Sequence, residues 1–238
     1  MGLRSHLKNL FGGKKRSKAT SKREFDHHLL PGLLGKNDPV ILEVGCNDGT
    51  DTLKFLELFS EASIYTFEPD PRAWQHFQEK VVSSRVRSFN VAVSDENGET
   101  ELHMSSGYPS DPGWKEKLPE GWDLSSSIQS PRKHLEKHPW CKFEKSVTVK
   151  TQTLDSWYSE QSNLGIIDFI WADIQGAEAR MIRGAEDVLK KTCYLFTEYS
   201  DEELYEGQVD LNTLKSILPD FEVVEVYPGD VLLKNTSL

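Results

Sequence analysis

Two acid-bearing turns and a trio of carboxylates are the residues best suited to chemistry. The first turn is Glu43-Val44-Gly45-Cys46-Asn47-Asp48-Gly49-Thr50, with two glycines four apart and an acid two residues before the first. Gly45 lets the chain turn sharply under a ligand, and Gly49 lets the following helix pack closely on the strand. A dinucleotide site wants G-x-G-x-x-G, so that backbone amides meet a pyrophosphate at a helix N-terminus. Here Asn47 holds the middle glycine position. Glu43 would repel a pyrophosphate yet accept a cationic amino-acid group. The second turn is Phe67-Glu68-Pro69-Asp70, with Glu68 placed 19 residues after Gly49. A carboxylate there can accept hydrogen bonds from both hydroxyls of a ribose. Together these features describe a site for adenosine with a methionine-like tail and no phosphates. An ordinary strand–helix turn followed by a strand-end acid would leave their agreement unexplained.

The trio is Asp173, Glu178 and Glu198, expected to point into one crevice. Asp173 is the leading candidate for a general base, since a hydroxyl acceptor benefits from a group that takes its proton. Crowded carboxylates raise one another's pKa or bind a cation. A divalent metal is the lesser of these two readings. Bland alternatives stand beside the functional ones: Glu178 as a helix N-terminal acid favoured by the macrodipole, and Glu198 as a simple strand-end acid.

These residues need a sheet to hold them. Apolar runs at Pro39–Val44, Ser63–Phe67, Val86–Ser94, Ile166–Ile174 and Tyr194–Tyr199 read as buried parallel strands. Helical patterns fill the gaps at Asp51–Phe59, Pro71–Val82, Ala177–Lys190 and Leu211–Leu218. Asn97-Gly98 predicts a hairpin joining the third strand to an extra one, Thr100–Met104. Val147–Thr151 is a further short strand, and Phe221–Tyr227 and Val231–Lys234 form a closing hairpin around Pro228-Gly229. The fold class is α/β: a doubly wound, Rossmann-like sheet, mostly parallel with an antiparallel C-terminal hairpin. Such a sheet binds its ligand at the carboxyl ends of the central strands.

Residues 105–146 are the least regular stretch and are expected on the acceptor side, since long irregular segments inside a compact domain are more often functional than idle. Ser125, Ser126 and Ser127 could supply acceptor-binding hydroxyls. Trp114, Trp122 and Trp140 either form a stacking wall or pin the insert to the core. Tyr205, Glu206 and Gln208 either line the acceptor site or belong to a solvated acidic turn. His134 and His138 have metal-ligand spacing, but an exposed basic helix is the better account, as is an incidental origin for His27-His28. Cys46 reads as a small buried filler.

The segments Glu43–Thr50, Phe67–Pro69, Asn90-Val91-Ala92-Val93-Ser94-Asp95, Thr153-Leu154-Asp155 and Ile167–Glu178 together resemble the FkbM family of S-adenosylmethionine-dependent methyltransferases. The most specific are the D-x-[EQ]-G-A-E stretch at Asp173–Glu178 and the N-V-A-V-S-D stretch. The resemblance runs over roughly Pro39–Asn235. It implies a class I methyltransferase fold and methylation mainly of hydroxyl oxygens on sugars, polyketides and similar products. It implies that Glu43, Gly45, Gly49 and Glu68 hold S-adenosyl-L-methionine, with Asn47, Asp48 and Pro69 in the same turns. It places Asn90, Val91 and Ala92 beside the adenine and Asp173 at the reaction centre, next to the cofactor. One departure is Trp171, where the family often has Lys; it implies a more aromatic pocket.

Composition narrows the partners. The chain of 238 residues has a net charge of -10, but residues 1–23 hold eight Lys or Arg and no acid. The remaining 215 residues carry 20 basic and 38 acidic side chains, a balance that repels nucleic acid. Residues 1–25 are expected to be a basic tail separate from the domain at 26–238. Leu3, Leu7, Leu10 and Phe11 fall at helical spacing, so weak contact with an anionic membrane or a protein is the functional reading of the tail, against a solvated one. Three scattered cysteines and no long apolar segment fit a cytoplasmic protein. The partner expected is a small-molecule or glycan acceptor. Two other functions stay open on sequence: a nicotinamide-dependent oxidoreductase, and a non-catalytic scaffold tethered by the tail.

Overall fold

The computed structural model describes residues 24–238, apart from 112, 119, 120 and 163. The basic tail, residues 1–23 of the expected 1–25, lies outside the described residues.

Five parallel strands build the centre: β1 (Val40–Val44), β2 (Ser63–Phe67), β3 (Val86–Phe89), β7 (Ile167–Ala172) and β8 (Thr192–Glu198). β9 (Phe221–Tyr227) and β10 (Asp230–Asn235) close the sheet antiparallel, in the order β3-β2-β1-β7-β8-β10-β9. Strand order reverses between β1 and β7, which is where such a sheet opens a crevice at its carboxyl edge. Each central strand alternates its side chains between two cores. Leu42, Val44, Ile170 and Ala172 face one side with Leu154, Trp157, Met181, Ile182 and Val188. Ile41, Phe169 and Trp171 face the other with Leu30, Phe55 and Phe59. Burial on both faces explains why β1, β2 and β7 read as continuous apolar runs, whereas β3, at the sheet edge, is only partly buried.

The first face is covered by α6 (Leu154–Ser159), α7 (Glu178–Arg183), α8 (Glu186–Leu189) and α9 (Leu211–Ile217). The second is covered by α1 (Leu30–Leu34) and α2 (Thr50–Leu58), while α3 (Pro71–Lys80) packs Phe77 on Cys46. Among the described residues no helix is long and apolar enough to cross a membrane.

The strand expected over Val86–Ser94 is divided: Val86–Phe89 forms the edge of the main sheet, and Ala92–Val93 lies in a separate one. Three further elements differ from the sequence expectation. The helix expected over Ala177–Lys190 is two, because the chain breaks at Gly184-Ala185. Gly184 lies flat on Ser94, where a Cβ would come within 2.1 Å of the carbonyl oxygen. Asp155 then caps α8 from outside, accepting from the Asp187 and Val188 amides at 2.9–3.1 Å.

The hairpin at Asn97-Gly98 is the second difference. β4 (Ala92–Val93) and β5 (Gly98–Gly107) do not pair with each other. β6 (Cys141–Gln152) runs between them, parallel to β4 and antiparallel to β5, in a separate sheet of order β4-β6-β5. Asn97 Oδ1 instead accepts from the Thr153 amide at 2.9 Å, tying the turn to the end of β6.

The third is the insert. β5 runs on to Gly107 and β6 begins at Cys141, so the irregular part is shorter than 105–146. It contains the short helices α4 (Gly113–Lys117) and α5 (His134–Lys137). Trp114, Trp122 and Trp140 stack edge to face, with centroids 5.1 and 4.9 Å apart, over Cys141. The tryptophans therefore form a small core that pins the insert, and the Trp122 indole donates to Ser125 Oγ at 2.8 Å.

Candidate active site

The crevice begins where β1 ends. Gly45 turns with φ 84° and donates its amide to Phe67 O at 2.9 Å. A Cβ there would lie 1.9 Å from the carbonyl oxygen of Asp173, so glycine is what lets the ends of β1 and β7 meet. Gly49 has φ 78°, and its Cβ would strike Val81 and Phe77 at 2.3 and 2.9 Å. The close packing it serves is thus between α2 and α3, not between helix and strand. Asp48 lies in the same turn, accepting from the Thr50 amide and hydroxyl and from Lys80 Nζ, at 2.6 Å in the last case. Glu43 is buried on the face of β1 that packs against α2, where the Thr52 hydroxyl donates to it.

Glu68 ends β2 and is held from both sides. Its Oε2 accepts from the Asn47 amide and its Oε1 from the Asp70 amide, both at 2.8 Å. Burial, reinforced by the charges of Asp70 and Asp123, pushes its carboxyl up to about 8 against those two amides. Pro69 sits half-buried in this turn. Asn90 is exposed and donates from Nδ2 to Glu68 O at 2.7 Å, so it fixes the strand end that carries the acid. Val91 and Ala92 are buried, and Val91 packs into the core with Phe67 and Trp157.

Asp173 follows β7, its amide donating to Val44 O at 2.9 Å. Gln175, with φ 52°, places its Nε2 2.6 Å from Asp173 Oδ1 and 3.3 Å from Glu198 Oε2. Asp173 and Glu198 are thus bridged by one shared amide. Glu178 does not join them in the crevice. It is 1% exposed and folds back on its own turn, accepting from the Ile174 and Gly176 amides at 3.3 and 3.2 Å. Burial, with the charge of Asp173 adding to it, pushes Glu178 up to about 7.

The insert reaches the site through its serines. Ser126 Oγ donates to Asp70 Oδ2 and Ser127 Oγ to Gln175 O, each at 2.8 Å. Ser125 O accepts from the Tyr205 hydroxyl at 2.8 Å. These serines are anchors, engaged with the protein itself. Tyr205 is buried, whereas Glu206 is an exposed partner of Arg132 and Gln208 accepts from the Leu204 amide.

His134 and His138 are buried, not on an exposed basic helix. Their rings lie 4.9 Å apart, with His134 also on Phe143 and Tyr205. Burial drives His134 down to about 4, as suits an apolar pocket. His27 is not incidental either, packing 4.8 Å from Trp171 with Nε2 3.2 Å from Asp51. Trp171 itself is core: 2% exposed and stacked 4.3 Å from Phe196, it adds nothing aromatic to the crevice surface. Cys46 is a buried filler whose thiol burial pushes well up.

Sequence reasoning missed two residues. Gln175 lay inside a quoted motif, and its polar side chain beside Asp173 was the available signal. Asp123 is 6% exposed, close enough to Asp70 that burial and this charge push it up to about 6. It lay in the stretch without a readable pattern.

The crevice thus collects Glu68, Asp70, Asp123, Asp173 and Glu198, and the nearby Arg72 is bound to Asp70 at 2.7 Å. That set of acceptors suits a ligand carrying hydroxyls and positive charge, as S-adenosylmethionine does, and disfavours a pyrophosphate. Among the described residues, no three His, Cys, Asp or Glu side chains converge as metal ligands.

Comparison with known proteins agrees. The model of the methyltransferase FkbM domain matches residues 43–227. A 2-O-methyltransferase, NoeI, of Sinorhizobium fredii (strain NBRC 101917 / NGR234) is 46% identical over 217 residues, covering 89% of this chain and 86% of that protein. Methyltransferase 1 of Beauveria bassiana (strain ARSEF 2860) is 26% identical over 157 residues, 63% of this chain and 60% of that one. In three dimensions the METTL16 MTase domain superposes with a TM-score of 0.50 at 12% identity, covering 89% of this chain and 66% of that one, which speaks to the fold alone. Neither the oxidoreductase nor the scaffold reading is favoured by these matches. The chain belongs to the FkbM methyltransferase family.

Proposed function

We propose that this enzyme transfers a methyl group from S-adenosylmethionine to a hydroxyl oxygen of a sugar, glycan or small-molecule natural product. The observation that carries the reading is the pair Asp173 and Glu198, joined through Gln175 beside the Gly45 turn. The 46% identity to a protein named a 2-O-methyltransferase supports oxygen as the acceptor atom.

The bound cofactor supplies an electrophilic methyl on a sulfonium, so the protein chiefly has to position the acceptor and exclude water. Glu68 would accept hydrogen bonds from the ribose, its carboxyl group already oriented by two backbone amides. Asp173 would take the proton of the acceptor hydroxyl as the oxygen attacks. Gln175 turns Asp173 toward that task and separates its charge from Glu198. Glu178 acts at a distance, bracing the turn that carries Asp173 and Gln175.

The test is formation of S-adenosylhomocysteine by the purified chain across a panel of hydroxylated glycans and small molecules. Acceptor-dependent turnover, lost in Asp173→Asn while S-adenosylhomocysteine still binds, is the expected result. Unchanged turnover in Asp173→Asn would remove the base assignment.

A further inference from the structure

Asp123 is a carboxylate without an evident task. It comes from the insert, far in sequence from either acid-bearing turn, yet lies close to Glu68 and Asp70 at the end of β2, where the neighbouring Ser126 bonds Asp70. Its Oδ1 is fully buried and has no hydrogen-bond partner. Buried carboxylate oxygens are expensive to leave unmatched, and each exception in a native fold calls for an explanation.

The neighbours cannot supply one. Arg72 is engaged with Asp70 through Nε and Nη2, with Ser105 O at 3.0 Å and with Ser126 Oγ at 3.3 Å. Asp70 accepts from Arg72 and Ser126, and Glu68 from two amides. The Asp70 charge repels that of Asp123 while the Arg72 and His76 charges favour it, but none of these groups hydrogen-bonds Oδ1, which leaves it open to an incoming donor. Nor is Asp123 a loose side chain. Trp122 before it is 1% exposed and bonded to Ser125, and Ser126 after it is bonded to Asp70, so the residue is clamped on both sides.

We infer that Asp123 is a second cofactor-binding carboxylate, accepting a hydrogen bond from one hydroxyl of the cofactor's ribose while Glu68 takes the other. This rests on the reading of Glu68 as the ribose-binding acid. A vicinal diol has two donors to place; one acid can take both, but each Glu68 oxygen is already engaged by an amide and Asp70 is held by Arg72 and Ser126, which leaves Asp123 Oδ1 as the unmatched acceptor at this end of the crevice. The insert thereby forms part of the cofactor site, as well as standing on its acceptor side.

The experiment titrates the full chain with S-adenosylhomocysteine and its 2′-deoxy and 3′-deoxy analogues, comparing wild type, Asp123→Asn and Asp123→Ala, with Glu68→Ala as control. The expected result is a loss of about tenfold or more in affinity of both Asp123 variants for S-adenosylhomocysteine. For one of the deoxy analogues that difference should vanish, because the missing hydroxyl is the one Asp123 binds. Without ligand, Asp123→Asn should melt no lower than wild type, since it removes an unmatched buried charge. Unchanged binding in the variants overturns the inference. So does an equal loss for parent and both analogues, or a lowered unliganded melting temperature accompanying the loss, since either marks a structural residue. A wild-type chain that binds no S-adenosylhomocysteine defeats the functional reading itself.

Discussion

The amide nitrogen of Gln175 lies 2.6 Å from Oδ1 of Asp173, in a residue whose backbone takes the left-handed conformation at φ 52°. Such a conformation is uncommon for a side chain of this size, and it is what turns the amide back onto the strand end. Gln175→Glu keeps the shape and replaces the donor by a third carboxylate between Asp173 and Glu198. The variant should lose roughly a hundredfold in kcat, the scale of removing one preorganised donor. Its S-adenosylhomocysteine affinity should stay near wild type. Gln175→Ala, which removes the donor without adding a charge, should lose less. Unchanged kcat in both variants would show that Gln175 does not act on Asp173.

Glu68 links the site to stability. Burial raises it to about 8 in the folded chain, so between its ordinary value of 4.5 and about 8 the folded form holds a proton that the unfolded form has released. Stability therefore falls as pH rises through that window, with a slope approaching about 1.4 kcal/mol per pH unit per proton. Thermal melts of the ligand-free chain should drop from pH 5 to pH 8 and level off above. Glu68→Gln should flatten the upper part of the curve, and Glu178→Gln the part below about 7, where Glu178 acts in the same direction. If both variants keep the wild-type slope, the buried acids are not its source.

The class of fold, the strand ends and the two acid-bearing turns were legible because they depend on local signals. Continuous apolar strands, a glycine turn and the spacing to Glu68 are properties of short segments. What the sequence hid depends on tertiary contact. A 3.6-residue pattern continues across Gly184, and nothing in it reveals that Ser94 occupies the space a Cβ would need. Asn97-Gly98 marks a turn correctly, but not that a strand from some fifty residues later enters between its two arms. The family segments also divide in a way no motif displays. Asn90 holds the Glu68 backbone, while Thr153 caps α6 and Asp155 caps α8, so much of the signature maintains the frame around the site.

Asp95 belongs to that frame. Although partial burial opposes it, the Arg180 and Arg183 guanidiniums hold its carboxyl down at about 2, with Arg180 Nε 2.7 Å away. The clamp ties the turn between β4 and β5 to α7. Asp95→Ala should destabilise the chain by about 1–3 kcal/mol, the range for a charge-assisted pair that is only partly exposed. The folded pKa is depressed, so this stability is present above the ordinary value of 3.8 and is lost as pH falls toward about 2. Urea titrations at pH 7 and pH 3 check both points: the gap between wild type and variant should narrow at the lower pH. An unchanged gap would mean packing, not charge, holds the turn.

Tyr205 joins the insert to the turn that carries Asp173 and Gln175. Its hydroxyl donates to Ser125 O at 2.8 Å and stands 3.4 Å from Gln175 Oε1, while Ser127 Oγ reaches Gln175 O from the other side. Tyr205→Phe removes the donor and leaves the ring in place, so a buried carbonyl loses its partner at a cost of about 1–3 kcal/mol. The consequence should divide by ligand. Asp123 and Ser126 are clamped independently through Trp122 and Asp70, so S-adenosylhomocysteine affinity should be little changed. Gln175 loses one of the contacts that orient its amide, so kcat should fall, and a looser insert should raise KM for the acceptor. Ser127→Ala cuts the second strap and should act in the same direction. If the two substitutions reduce turnover independently, their effects on log kcat add. If both work through the orientation of Gln175, the double variant should lose less than the sum. A double-mutant cycle on kcat separates the two cases, and strict additivity would show that the insert does not reach Asp173 through Gln175.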